Sequence, residues 1–146
     1  TIYSIFFLLI YINTLFGEFM SHHFAILWTR VSIGLLMLFS HGFSKLINYS
    51  TMSANFPDPI GFGSQVSLCL IIFAEFFCSI LLIIGFKTRL ASIPLIITML
   101  VAIFIVHAVD PWQKQEVGTL YLLIYLSLLF SGSGRYSVDY LLSKKT

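Results

Sequence analysis

The run "QVSLCLIIFAEFFCSILLIIGF", residues 65–86, decides the fold class. It is apolar almost throughout and carries a single carboxylate, Glu75. A helix needs about 20 mostly apolar residues to cross the hydrocarbon core of a bilayer. A barrel strand would instead alternate over about ten residues. Inside lipid every backbone amide must be satisfied within its own segment, so a continuous run of this length reads as a helix.

Working outward, three further segments have comparable character: 24–46, 90–109 and 115–131. Between the first two lies "NYSTMSANFPDPIGFGS", residues 48–64, where Pro57 and Pro59 disfavour helix and Gly61 and Gly63 loosen the chain. The tight "GFKTR" turn, 85–89, separates the second from the third. "DPW", 110–112, closes the third, and "SGSGR", 131–135, ends the fourth. The expectation is an all-α membrane four-helix bundle over residues 24–146. Residues 1–23 form a separate N-terminal hydrophobic unit. Within it "IYSIFFLLIYINTLF", 2–16, reads as an extra helix running to about Met20. No basic segment precedes it and no A-x-A site follows. A whole helix, a truncated one and a signal-like segment all remain open.

Composition agrees. Of 146 residues, 58% are hydrophobic and 10% charged, with a mean hydropathy of +0.96. A soluble domain carries about 25% charge, so this exterior must largely face lipid. The net charge of +2 and the lack of any Lys/Arg-rich run with interleaved aromatics exclude nucleic acid as a partner. Cys69 and Cys78 fall on opposite sides of one helix and form no CxxC motif, so they read as small packing residues.

Short loops rich in Lys and Arg face the cytoplasm. Lys87 and Arg89 lie in the 85–89 turn, and Arg135, Lys144 and Lys145 in the tail, whereas the 47–63 loop has neither residue type. The turn and the C-terminus are therefore expected on the cytoplasmic side of a bacterial inner membrane. The tail "RYSVDYLLSKK" reads as a short interfacial helix with Ser137 as its cap and Asp139 in its first turn.

The first segment is unusual because it carries cations. At about 100° per residue, Arg30, Gly34, His41 and Lys45 share one narrow face. A cation at membrane depth costs about 2.5–3.5 kcal/mol unless that face turns inward to partners. Gly34 would let a neighbouring helix come close. Glu75 is the acidic partner within reach, with Arg30 expected to close on it. His107 ends the third segment and Glu116 begins the fourth, so a polar pocket of Arg30, His41, Lys45, Glu75, His107 and Glu116 is expected. The Glu-x-x-His pairing of di-iron bundles is missing, and no metal is expected.

These residues carry a resemblance. The Arg30 segment with "HGFSKL", "FAEFFCSILLIIGFKTRLA" with "HAVDP", and "EVGTLYLLIYLSLLFSGSGRYSVDYLL" resemble the DoxX family of small bacterial membrane proteins, over residues 25–142. Gly132-Ser133-Gly134 departs from the Gly-Pro-Gly that relatives tend to have there. The resemblance implies a four-helix membrane bundle with Arg30, His41, Lys45, Glu75, Arg89, His107 and Glu116 at the family's recurrent polar positions. It also implies an association with redox systems, including thiosulfate:quinone oxidoreductase and thiol or oxidative-stress systems. Three functions are open: a redox-associated subunit that takes a quinone as cofactor, a non-catalytic accessory subunit of a larger membrane complex, and a small-solute or proton transporter. Catalysis by the chain itself is an open question. The bilayer is the expected partner, with other membrane or redox subunits beside it.

Overall fold

In the computed structural model, Ile5, Phe7 and residues 22–144 are described. The expected N-terminal helix therefore lies, apart from those two positions, outside the described residues. The described chain forms six helices: α1 (His22–Ile47), α2 (Tyr49–Met52), α3 (Ser64–Ile84), α4 (Thr88–Val106), α5 (Trp112–Ser131) and α6 (Val138–Ser143). Among the described residues there is no strand.

Three of the helices, α1, α3 and α4, are long and apolar enough to cross a membrane. The fourth, α5, is equally long but begins "WQKQE" and does not reach that apolarity. The four long helices share one core. It includes Met37 of α1, Leu82 of α3, Leu95 and Met99 of α4, and Tyr125 and Leu128 of α5, all buried. Outward-facing side chains are large and apolar as well. Trp28, Phe39, Phe104 and Phe130 are all more than 60% exposed. In water so extensive an apolar exterior would drive aggregation; against acyl chains it is what a spanning bundle requires.

Helix ends follow local chemistry. Gly85 stops α3 in the left-handed conformation (φ 72°, ψ 42°), and the Phe86 amide donates back to the Leu81 carbonyl at 3.0 Å. The next helix starts at Thr88 rather than at 90. Its first amides are met by the tail: Asp139 accepts from Lys87 N–H at 2.8 Å and Thr88 N–H at 3.3 Å. The third expected segment ends three residues early, at Val106, because His107 leaves helical geometry and Asp110 N–H closes a turn onto its carbonyl at 3.0 Å. Ser137 caps α6 as the sequence suggests, accepting from Tyr140 N–H at 3.2 Å.

Three π-helical turns interrupt the long helices: Leu38–Gly42 in α1, Phe73–Cys78 in α3 and Ala102–Val106 in α4. Each widens the helix locally and re-aims the side chains around it. The bundle has two distinct ends. One holds the 85–87 turn and the tail, and the other holds the 48–63 loop and the 107–111 turn.

Candidate functional site

At the end with the long loop, a cavity of about 650 Å³ opens between the helices. That is the size of a small-molecule site. Its walls are apolar: Leu70, Phe73 and Ala74 from α3, Pro94, Ile97 and Ala102 from α4, and Val117 from α5. Phe56, Pro57, Ile60 and Phe62 of the long loop form its roof. Leu70, Phe73 and Ile97 among its lining residues are each about half exposed.

Its polar groups converge from the interrupted helices. Lys45 Nζ donates to Glu75 Oε2 at 2.6 Å, and Glu75 is buried. The pairing follows from side-chain direction. Helical side chains lean toward their own N-terminus. On antiparallel helices Lys45 leans back down α1 while Glu75 leans back up α3, so the two converge. Gly42 makes the close approach possible: a Cβ there would lie 2.5 Å from the Glu75 carbonyl oxygen. The two π turns are thus packed backbone on backbone. His41 sits in the same turn, with its ring edge-on to Tyr121 at 6.0 Å between centroids, and both line the cavity.

The mouth is polar and folded on itself. His107 Nδ1 and Asp110 Oδ2 are 2.7 Å apart, and Lys114 approaches Asp110 Oδ1 at 3.3 Å. The His107 ring, ahead of Lys114, holds the Asp110 carboxyl below the usual carboxylate range. Gln115 donates to the His107 carbonyl at 2.8 Å and fixes the turn against α5.

Two expected pocket residues lie elsewhere. Arg30 does not meet Glu75 and does not line the cavity. It is wholly buried at the opposite end, where Nη1 donates to the Leu82 carbonyl at 2.9 Å and the Ile83 carbonyl at 3.2 Å, and Nη2 to the Tyr136 carbonyl at 2.6 Å. The tilt that brings Lys45 to Glu75 carries Arg30 away from it, onto the open C-terminal carbonyls of α3. Glu116 is exposed on the outer flank of α5, and Gln115, Val117 and Gly118 line the cavity instead. His41, Lys45, Glu75 and His107 are brought together as lining residues. Gly34 faces Ile83, where a Cβ would meet Cγ1 at 2.7 Å. Gly85 faces the Arg30 guanidinium, Lys87 is exposed, and Arg89 donates to the Phe130 carbonyl at 3.2 Å.

Residue-by-residue reading missed Gly42, Tyr121 and the roof loop. Gly42 adjoins His41 in "SHGFSK" but falls about 120° from Arg30 on the helical wheel, off the cationic face. Nothing in the sequence marks the loop as a roof.

A family model described as DoxX matches residues 25–108, more than half of the chain. The chain belongs to the DoxX family. It is also similar to an uncharacterized membrane protein of Mycobacterium tuberculosis (strain ATCC 25618 / H37Rv), with 28% identity over 144 residues and 83% of each chain covered. No solved structure matches. This DoxX chain is accordingly a multi-pass membrane protein. The matched range contains Arg30, His41, Lys45, Glu75 and His107, so the floor of the cavity lies within the family region and Tyr121 beyond it.

Proposed function

We propose that this DoxX protein is an inner-membrane subunit that holds a quinone headgroup in the cavity for a redox partner. The observation that carries the reading is the apolar-walled cavity of about 650 Å³ with His41 and the Lys45–Glu75 pair on its floor. A quinone carbonyl requires a hydrogen-bond donor, and the His41 ring N–H and Lys45 ammonium supply them. When bound, the quinone provides two-electron chemistry coupled to proton uptake. His41 and Glu75 are the groups that exchange protons at the site. The isoprenoid tail is accommodated by the Pro94 and Ile97 wall. In this reading electrons come from a partner subunit, and α5 is the fourth span, returning the chain to the end where the tail meets the 85–87 turn. Lys87, Arg89, Arg135 and Lys144 at that end support a cytoplasmic orientation for it.

The test is quinone retention. Protein extracted in mild detergent should carry quinone detectable in its organic extract, and decylubiquinone should raise the melting temperature of the quinone-free protein. His41→Phe should lose both effects while keeping its unliganded melting temperature. A wild-type protein that neither retains nor responds to quinone would sink this reading. An accessory role would then be favoured, for which the Arg30 bonds to backbone carbonyls and the Lys45–Glu75 contact already speak.

A further inference from the structure

The core beneath the cavity contains polar atoms that packing does not explain. Ser79 Oγ, Thr88 Oγ1, Tyr125 Oη and Arg30 Nε are buried and have no partner among the described residues. Each belongs to a residue at most 1% exposed. Buried hydroxyls left unpaired destabilise a fold, and in native proteins they are usually met by internal water.

Their order along the bundle is directional. Glu75 forms the cavity floor, and Ser79 follows it by one turn of α3. Arg30 reaches the carbonyls of Leu82 and Ile83 about one turn further on. From α5, Tyr125 stacks below Tyr121 at 6.0 Å between ring centroids, and Tyr121 lines the cavity with Glu75. From α4, Ser92 donates to the Thr88 carbonyl at 2.9 Å, and both residues are buried at the end nearer the 85–87 turn. Asp139 sits there over the Thr88 amide, and its charge offsets that of the Arg30 guanidinium. Leu82, Leu95 and Leu128 are buried in the same core.

We propose that this column of polar groups, filled by internal water, is a proton path from the end bearing the 85–87 turn to the Glu75 carboxylate. A proton enters beside Thr88 and passes along hydroxyls and water by exchange of hydrogen bonds. It comes to rest on a Glu75 oxygen. The carboxylate becomes neutral, Lys45 keeps its charge, and the ion pair dissolves, leaving an acidic O–H facing the cavity. The groups facing Glu75 are Lys45 and His41 from α1 and Tyr121 and Tyr125 from α5. From α4 no titratable side chain lines the cavity that Glu75 lines, and on α3 Cys78 lies one turn on. The path rests on the quinone reading only for what finally consumes the proton.

Carbodiimides modify carboxyl groups only when protonated, so labelling of Glu75 reports proton arrival. Protein is reconstituted in vesicles, sorted for orientation by protease access to the tail, and the pH is clamped separately on each side. Mass spectrometry then follows dicyclohexylcarbodiimide on the Glu75 peptide. The rate should rise about tenfold for each pH unit lowered on the tail side. Tyr125→Phe combined with Ser79→Ala, and separately Thr88→Val, should slow the tail-side response about tenfold. Labelling that follows the opposite side, or that ignores these variants, overturns the path. So does a Glu75 left unlabelled both in the wild type and in Lys45→Met, where no ammonium opposes protonation. Quinone retention measured on the same preparations keeps the two readings separable.

Discussion

Arg30 and Lys45 show how one helix carries a buried and a partly buried cation without a common partner. Each finds oxygen in the direction its side chain leans. Arg30 satisfies helix-terminal carbonyls, and its bonds are charge-assisted, so Arg30→Met leaves three carbonyl contacts unmet and should cost about 3 kcal/mol. A fall in the detergent melting temperature checks this, and a variant as stable as wild type would refute the capping role. Lys45→Met is different, because it strands a buried carboxylate. It should destabilise by about 3 kcal/mol, and the double variant Lys45→Met with Glu75→Met should recover most of the loss. A double-mutant cycle in detergent unfolding measures the coupling, and a double variant no better than the single one would contradict the pairing. Neither role follows from residue type. Arg30 looked equally able to reach Glu75 until the tilt of the side chains was known.

Among the elements, the π turns and the roof loop place the cavity. Gly42→Ala would drive a methyl group into the Glu75 carbonyl, which belongs to backbone and cannot rotate away. Overpacking of this kind costs about 1–3 kcal/mol and should part the two π turns, seen as loss of thermal stability together with loss of quinone binding. The roof is pinned by Asp58. Its carboxylate accepts from Ser67 Oγ at 2.7 Å, Gly63 N–H at 2.7 Å, Phe62 N–H at 3.0 Å and Gly61 N–H at 3.1 Å. These bonds, the Ser67 hydroxyl first, hold its carboxyl below the usual carboxylate range. A depressed folded-state pKa stabilises fully above the unfolded value, about 3.9, and that stabilisation is lost as pH falls through the lowered value. Amide exchange at Gly61, Phe62 and Gly63 should therefore accelerate in acid, relative to helix-core amides, and do so already at neutral pH in Asp58→Asn. Equal protection in that variant would remove Asp58 as the anchor. Apolar run length located the helices, but a π turn is one extra residue inside an unchanged apolar run and leaves no mark there.

For the molecule as a whole, the tail is part of the bundle rather than an appendage. Asp139 N–H donates to the Gly85 carbonyl at 3.0 Å, its carboxylate caps α4, and the Tyr136 carbonyl accepts from Arg30. Deleting the segment from Tyr136 onward should uncap α4 and uncover Arg30, lowering the melting temperature by more than loss of an exposed helix would. A truncated protein with the wild-type transition would show that the tail is dispensable. The proposed topology predicts that a cysteine placed at Lys144 reacts with an impermeant maleimide only from the cytoplasmic side, and one placed at Asn55 only from the outside.

Long apolar runs, few charges and proline-rich breaks were enough to establish a helical membrane chain, its helix positions to within a few residues and its family. Those features are local, because a bilayer acts on each segment separately. Which charges meet was settled by the assembled bundle. Lys45 rather than Arg30 faces Glu75, Glu116 lies outside the cavity, and a loop closes over it. These depend on side-chain tilt between antiparallel helices and on backbone contact at Gly42, and both arise only when separate segments pack against one another.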